Sequence, residues 1–204
     1  MILIGRNLSP FTRRVAVTLR LLGIPCERQM LSTLDHGEQI RARNPLGRVP
    51  ALVLDDGETL IESGAILDHI DELAGPERAL TPARGAARRR VLRLVALATG
   101  ACDKGVAAAY ERQRRPADKI HPPWAEKCEG QAKAGLEALE KEGGDGWLVG
   151  GRLTQADISA VCALDFIDAM LPGLLEMSAY PRLAALSARA NAMEAFASTH
   201  PGKT

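Results

Sequence analysis

The feature that most constrains the fold is a change in hydrophobic pattern partway along the chain. Before residue 75, short apolar runs such as MILI alternate with segments whose apolar residues recur at helical spacing. Beyond that point no stretch has a convincing strand pattern, and only the helical spacing continues. A chain of 204 residues is long enough to bury a core in each of two small domains. The pattern therefore predicts an α/β domain followed by an all-helical domain.

Four short strands and three helices are predicted in the first part of the chain. The strands are MILI, CERQML, ALVL and TLI. The last two flank an Asp-Gly step that is typical of an antiparallel hairpin, whereas the first two are expected to be parallel and joined by a crossover helix. The helices are predicted from Pro10 up to Gly23, over GEQIRAR, and from Ser63 to Leu73. The predicted order is βαβαββα, a small mixed sheet with helices.

A segment rich in proline and glycine separates the two patterns. AGPERALTPARG contains two prolines and two glycines between segments that are otherwise periodic. We therefore predict a linker over residues 76–85. It divides the chain into a first domain of residues 1–75 and an all-helical second domain of residues 86–204.

The second domain is predicted to contain at least three helices. Apolar residues between 91 and 106 lie on one side of a long helix, and a second helical stretch runs from about Trp124 to Leu139. A third helix is expected to begin within LTQADISAVCALDFIDAM. There, Thr154 with Asp157 three residues later resembles a capping box, in which Asp replaces the usual Glu or Gln.

Composition argues against several classes of function. The formal net charge of +1 gives no reason to expect a nucleic-acid or membrane partner bound through bulk electrostatics. No apolar run approaches the roughly 20 residues that span a bilayer, and the first residues lack the pattern of a signal peptide, so a cytoplasmic protein is expected. The four cysteines are far apart and form no CxxC pair, which predicts neither a metal site nor a thiol redox pair.

Ser9 stands at the predicted start of the first helix, in NLSPFTRRV. Ser is favoured as an N-cap and Pro as the first helical residue, so capping alone accounts for Ser9-Pro10. The same position places a hydroxyl beside unsatisfied backbone N–H groups at the positive end of the helix dipole, directly after a buried strand. An anion would be stabilised there. The residues alone leave both interpretations open.

Two further stretches could present backbone groups to a ligand. In NPLGRVPALV, a cis peptide bond before Pro50 would turn the backbone of Val49 outward, where it could pair with a peptide as an added strand. In LIESGAILDHI, Ser63 is a candidate N-cap of the third helix. Glu62 and the free N–H groups beside it could hold a ligand that bears both an ammonium and a carboxylate.

The ordered set of these motifs resembles a known family. The βαβαββα order, SPF at the first helix, NPLGRVP before the hairpin and ESGAI at the third helix resemble the thioredoxin-like N-terminal domain of glutathione transferases. The helical second part, including GRLTQADISAVCAL, is also similar to that family. The resemblance covers essentially the whole chain. It is most similar to the bacterial members and, in SPF, to the serine-type classes.

The resemblance implies a set of glutathione contacts. Pro50 would be the cis-proline, the backbone of Val49 would pair with the cysteinyl part of glutathione, and Glu62 and Ser63 would hold its γ-glutamyl end. The glycyl carboxylate would be held by Arg48, in the loop before the hairpin, and by His36, in the loop before the second helix. Exposed loop residues with no ligand remain the alternative for both.

By the same resemblance Ser9 would be the catalytic hydroxyl. A free cysteine thiol has a pKa of about 8.5, and a hydroxyl donor together with a helix dipole favours its charged form. Ser9 would donate a hydrogen bond to the glutathione sulfur, and the thiolate would attack an electrophilic carbon. The resemblance thus implies a glutathione transferase that uses glutathione as co-substrate, needs no metal and forms a homodimer, with a role in detoxification.

The electrophile pocket is expected between the two domains. Phe11 would line it and also contact glutathione, and Tyr110 would line it from the first long helix of the second domain. The nearby Arg112, Arg114 and Arg115 would either attract an anionic substrate or form a solvated helix end. Two other functions stay open: a non-catalytic binding or regulatory protein, and a peroxidase, isomerase or dehalogenase that depends on glutathione.

Overall fold

The computed structural model, which describes residues 1–203, begins with the predicted βαβαββα order. Each strand has three residues: β1 (Ile2–Ile4), β2 (Glu27–Gln29), β3 (Ala51–Val53) and β4 (Thr59–Ile61). The helices among them are α1 (Pro10–Leu22), α2 (Gly37–Arg41) and α3 (Ser63–Ala74). The predicted fold of this part is confirmed.

The four strands form one mixed sheet in the order β2-β1-β3-β4. β1 is parallel to β2, with Leu3 opposite Arg28, and antiparallel to β3, with Leu3 opposite Leu52. β3 and β4 form the hairpin that the Asp-Gly step predicts. Because the only parallel pair is joined through α1, the sheet has the crossover followed by the hairpin expected from the sequence.

Alternate residues of the strands pack on opposite faces of this sheet. Leu3 and Leu52 belong to the larger of two buried clusters, together with residues of α1 and α3 such as Leu19 and Ile66. The next residue of β1, Ile4, belongs to a second cluster that includes residues from α2 and β3. Burying each of these Leu and Ile side chains contributes roughly 1.5–3 kcal/mol to stability. The period of two therefore gives the sheet a core on both faces.

Local signals define both ends of α1. Pro10 is its first residue, and the helix ends at Gly23, which adopts a φ of 65° and donates its N–H to the carbonyl of Arg20. That left-handed conformation costs glycine little, and it is the common way to close a helix. Pro10 and Gly23 thus set the length of the helix that carries Ser9 at its start.

The rest of the chain is helical in the part that the structure describes. The longer helices are α4 (Gly85–Arg114), α5 (Pro122–Glu142), α6 (Gln155–Met170) and α7 (Pro181–Asn191), followed by the short α8 (Glu194–Ala197). Short 3₁₀ turns lie at Ala117–Lys119, Met177–Ala179 and Pro201–Lys203. None of the helices within residues 1–203 combines the length and apolar character needed to cross a bilayer. The all-α second part is confirmed.

The chain divides into two compact units. The first contains Met1–Arg88 together with the segment that begins at Asn191, and the second contains Arg89–Ala190. Within the first unit, α8 packs on α1, and the buried Arg13 donates a hydrogen bond of 3.0 Å from Nη2 to Asn191 Oδ1. The C-terminal segment thus completes the first unit around α1.

A buried polar network starts α6 in the second unit. Thr154 is its N-cap, and Asp157 is fully buried. The Asp157 carboxylate accepts hydrogen bonds from Leu148 N (2.7 Å), Thr154 N (2.8 Å) and Thr154 Oγ1 (2.8 Å). Burial raises the pKa of Asp157, whereas these donors act to lower it. The predicted capping box is confirmed.

Candidate functional site

Ser9 lies in the turn between β1 and α1 and caps the helix. Its backbone is extended, with φ −70° and ψ 118°, and its N–H donates to the carbonyl of Arg6 (3.1 Å). Its Oγ accepts a hydrogen bond of 3.3 Å from Thr12 N. A serine hydroxyl both accepts and donates, and this cap uses only its acceptor side. Ser9 is half-buried, so its hydroxyl hydrogen is available to a ligand while the cap stays in place.

The electrostatic surroundings of Ser9 favour negative charge. The first turn of α1 contains no acidic residue, and its backbone N–H groups lie at the positive end of the helix dipole. Two buried arginines, Arg13 and Arg14, follow within the next turn. Arg14 Nη1 lies 3.5 Å from Ser63 Oγ at the start of α3, to which it donates. Positive groups thus lie at the start of α1 and at the start of α3.

The Val49–Pro50 peptide bond is cis, as predicted. Pro50 is buried and Val49 is half-buried, just before β3 begins at Ala51. Within residues 1–203, neither the N–H nor the C=O of Val49 has a hydrogen-bond partner. A main-chain donor and acceptor on one residue can pair with an extended peptide, which is the arrangement expected of an added strand.

Asn44 holds the loop that leads to Val49. It is 1% exposed, its Nδ2 donates to the carbonyl of Arg48 (2.8 Å), and its Oδ1 accepts from Leu46 N (3.0 Å). Its own carbonyl accepts from Gly47 N (2.8 Å), where Gly47 has a φ of 64°. No role of Asn44 was predicted from the sequence. Asn side chains often bond the backbone two residues ahead, and this preference could have indicated its role in the loop.

α3 begins at Ser63, as the helical spacing predicts, but its N-cap is not the predicted residue. Ser63 was expected as the N-cap, but Glu62 takes that position and Ser63 is the first residue of the helix. Glu62 adopts a φ of 67°, the only non-glycine residue in the described chain with positive φ, so it cannot continue the helix backwards. Ser63 is 4% exposed, and its Oγ accepts from Arg14. Backbone strain of this kind concentrates at functional sites.

The structure brings Arg48 and Glu62 together. Arg48 Nη1 lies 3.6 Å from Glu62 Oε1, and both side chains are about half exposed, at 54% and 55%. Exposed ion pairs add little to stability, from nothing to about 1 kcal/mol, so this pair can rearrange around a ligand at low cost. Two of the residues predicted to hold opposite ends of glutathione therefore share one surface with Val49, which follows Arg48 in the chain.

His36 lies outside that pair and is held locally. It precedes α2, it is half-buried, and its Nδ1 accepts a hydrogen bond of 3.2 Å from Ser32 N. Its own N–H donates to the carbonyl of Ser32 (2.9 Å). With Nδ1 used as an acceptor, the neutral ring carries its proton on Nε2, which is the nitrogen left to meet a carboxylate.

The residues predicted to line an electrophile pocket lie in different units. Phe11 is half-buried in the first turn of α1, and Tyr110 is 45% exposed near the end of α4. Two of the three arginines near Tyr110 bind carboxylates of their own unit. Arg112 binds Glu129, and Arg115 Nε donates to Glu111 Oε2 (2.8 Å). Both arginines are exposed at the end of α4, where each pairs with a carboxylate of its own unit.

Comparison with known families gives two matches. The model of the glutathione S-transferase N-terminal domain matches residues 3–78, and the model of the glutathione S-transferase C-terminal domain matches residues 122–189. Together the two matches cover more than half of the chain. The first contains the turn of Ser9, the loop of Val49 and the start of α3.

Individual relatives match over nearly the full length. An uncharacterized GST-like protein of Escherichia coli K12, YibF, is 30% identical over 207 residues, with 100% of each chain covered. A maleylacetoacetate isomerase of Pseudomonas aeruginosa PAO1 is 32% identical over 201 residues, which are 95% of this chain and 92% of the relative. The crystal structure of a glutathione S-transferase from Methylobacillus flagellatus KT, solved with glutathione bound, has 31% identity, a TM-score of 0.91 and 98% coverage of both chains.

Proposed function

The chain belongs to the glutathione S-transferase family, and on that premise we propose that it binds glutathione in its first unit and conjugates it to a hydrophobic electrophile. The proposal rests on the N-cap at Ser9, which uses only the acceptor side of the serine hydroxyl. Its Oγ accepts from Thr12 N, so the hydroxyl hydrogen can point to a sulfur without breaking the cap. Glutathione in the M. flagellatus relative supports the choice of ligand.

In the proposed complex, glutathione adds to the first unit as an extended peptide. The free N–H and C=O of Val49 pair with the cysteinyl residue, which brings its sulfur towards Ser9. Glu62 binds the γ-glutamyl ammonium, while the N–H groups and Ser63 at the start of α3 bind its carboxylate. Arg48 and the Nε2 of His36 bind the glycyl carboxylate. Phe11 contacts the ligand beside Ser9 and lines the electrophile pocket from the first unit.

The chemistry requires a thiolate at neutral pH. A hydrogen bond from Ser9 to the sulfur, together with the N-terminus of α1, stabilises the anion and not the thiol. Lowering a thiol pKa by two units corresponds to about 2.7 kcal/mol, which a charge-assisted hydrogen bond and a helix dipole can supply. The thiolate then attacks the electrophilic carbon and forms a thioether. In a substitution the electron pair of the broken bond leaves with a halide, and in an addition the π electrons move to the neighbouring carbon, which takes a proton from water. We extend the proposal to a cytoplasmic homodimer with a role in detoxification.

A second candidate function is glutathione-dependent isomerisation. The 32% identity to a maleylacetoacetate isomerase over 95% of this chain favours it. The same activated thiolate would add to an unsaturated carbon, allow rotation about the resulting single bond, and leave again. Glutathione is then regenerated and not consumed. The third alternative is a binding or regulatory protein that acts through protein partners, in which Ser9 serves only as a helix cap.

The test measures binding and consumption of glutathione separately. We expect calorimetry to detect glutathione binding, and an aryl halide assay to show conjugation that Ser9→Ala reduces by about 100-fold, because one preorganised donor is lost. Ser178→Ala, a change at an exposed serine of the second unit, is the matched control and should have no effect. Binding with no loss of free thiol, but with isomerisation of an unsaturated diacid, would favour the second candidate. No binding at all would contradict the proposal.

A further inference from the structure

The turn that carries Ser9 is anchored from outside itself. Ser9 N donates to the carbonyl of Arg6, which closes the turn, but this bond does not fix the turn relative to the sheet. Gly5 N donates to the carbonyl of Gln29 (2.8 Å), which holds the first residue of the turn to β2, and Arg28, in the middle of β2, adds side-chain contacts that extend to Asn7. Arg28 lies opposite Leu3 of β1 in the parallel register, so its backbone is part of the sheet.

Arg28 binds the turn at two points through one nitrogen. Its Nη2 donates to the carbonyl of Gly5 (3.0 Å) and to Oδ1 of Asn7 (2.9 Å). Nη2 carries two hydrogens, so both bonds form at once and fix the direction of the turn as well as its distance. Asn7 is 7% exposed, and Ser9 follows it by two residues. Burial lowers the pKa of Arg28, but arginine starts so high that the guanidinium stays charged.

The backbone of Gly5 lies close to both the first turn of α1 and Val49. It adopts a φ of 127°, and a Cβ built on it would lie 2.5 Å from Thr12 Oγ1 and 2.9 Å from Val49 Cβ. The backbone of Gly5 is thus wedged between the first turn of α1 and the residue before the cis bond. A displacement of the turn would move Ser9 relative to Val49, and therefore the donor relative to the sulfur it is proposed to meet.

We propose that Arg28 is a positioning residue for the hydroxyl of Ser9: it fixes the turn between β1 and α1 so that the donor meets the thiol of glutathione. This inference rests on the proposed function. It predicts that loss of the Arg28 contacts impairs thiol activation more than binding of the peptide, because Val49, Glu62 and Ser63 make the other contacts from elements that Arg28 does not touch. Displacements near 1 Å can cost about 100-fold in rate.

The experiment compares Arg28→Met with wild type in two measurements. The first is the thiol pKa of bound glutathione, followed by thiolate absorbance. The second is the affinity for S-methylglutathione, which has no thiol to ionise. We expect the bound thiol pKa to rise towards its free value and kcat to fall at least tenfold, while the affinity for S-methylglutathione changes by less than about threefold. Arg84→Met, the same change at an exposed arginine, should behave as wild type.

Two further variants distinguish loss of the Arg28 contacts from misfolding of Arg28→Met. Asn7→Ala removes one of the two acceptors and keeps Arg28, so it should shift the thiol pKa in the same direction by less. Arg28→Lys keeps the charge and should restore part of the activation. An unchanged thiol pKa in both Arg28→Met and Asn7→Ala, or an equal loss of S-methylglutathione affinity, would overturn the inference alone. A wild-type complex whose thiol keeps its free pKa would overturn the proposed function as well.

Discussion

Two helices of this protein begin with a hydroxyl N-cap, and the two caps differ in what they leave unused. At α6, the hydroxyl of Thr154 accepts from Ala156 N (3.3 Å) and donates to the buried carboxylate of Asp157. At α1, the hydroxyl of Ser9 accepts from Thr12 N and has no carboxylate to donate to. The difference arises at the third helical position, which is Asp157 in one helix and Thr12 in the other.

The comparison shows how one local motif serves either stability or binding. At Thr154 the hydroxyl accepts from Ala156 N and also donates to Asp157, so both its acceptor and its donor side are used within the cap. An incomplete box stabilises its helix less but keeps a donor for a ligand, beside a helix dipole that no acidic residue offsets. Thr154 is 1% exposed, whereas Ser9 is half-buried and accessible.

The largest expected effect is a loss of stability when Asp157 is removed from the capping box of α6. Asp157→Ala leaves the N–H groups of Leu148 and Thr154 buried without their acceptor, and each such donor costs about 1–3 kcal/mol. We expect the free energy of unfolding to fall by roughly 3–5 kcal/mol in denaturant titrations. Asp168→Ala, at an exposed position of the same helix, is the control and should change stability by less than about 0.5 kcal/mol. A small loss for Asp157→Ala would mean that the box does not stabilise α6.

The second prediction concerns a carboxylate added at the third position of α1, which would give Ser9 the capping-box partner that Thr154 has. Thr12→Asp places a carboxylate at the same position relative to Ser9 that Asp157 has relative to Thr154. We expect the hydroxyl of Ser9 to donate to that carboxylate, so the bound thiol loses its donor and kcat/KM falls by about 100-fold.

Thr12→Val is the control for that variant. Thr12 Oγ1 is buried and has no hydrogen-bond partner among the described residues, so removing it should change stability by less than about 1 kcal/mol and leave activity intact. Thr12→Asn tests size and polarity without charge. Full activity in Thr12→Asp would show that the unused hydroxyl of Ser9 has no part in the reaction.

A third cap gives the smallest effect and depends on pH. His121 N, at the start of α5, donates to Glu111 Oε1 (2.9 Å) from the end of α4. That bond, followed by those from Arg115, lowers the pKa of Glu111. An acid whose pKa is lower in the folded state contributes stability at neutral pH and loses it as pH falls below the ordinary Glu value and through the lowered one.

The check is a series of thermal melts between neutral and acidic pH. We expect the Tm of Glu111→Gln to lie below that of wild type at neutral pH, with the difference shrinking as pH falls. Glu137→Gln, on α5, serves as the control. A difference that stays constant with pH would exclude ionisation of Glu111 as the cause.

Much of this structure could be predicted because its signals are local. The short apolar runs of β1 and β3, the helical spacing that ends at Gly23, and the Thr154–Asp157 spacing each depend on a few adjacent residues. Two helices were not predicted. α7 buries Leu183, Leu186, Ser187 and Ala190 at helical spacing, a signal that was overlooked, whereas α8 has only four residues and therefore no readable period.

The site was less accessible to sequence reasoning because its supports are distant in sequence. Arg28 contacts Asn7 across 21 positions, and no local pattern indicates such a pair. The N-cap of α3 was assigned to Ser63, whereas Glu62 takes that position with a positive φ after the preceding strand. Local propensity favours serine as a cap, but here Ser63 accepts a hydrogen bond from Arg14 instead.

The most direct test of the unused hydroxyl is a thiolate titration of bound glutathione in wild type, Ser9→Ala and Ser9→Thr. Thiolate absorbance is followed as pH rises, with glutathione saturating each protein. We predict that thiolate appears in wild type well below the free thiol pKa of about 8.5, that Ser9→Ala returns it towards that value, and that Ser9→Thr retains the shift. The same titration curve in wild type and Ser9→Ala would contradict the account and leave Ser9 a helix cap only.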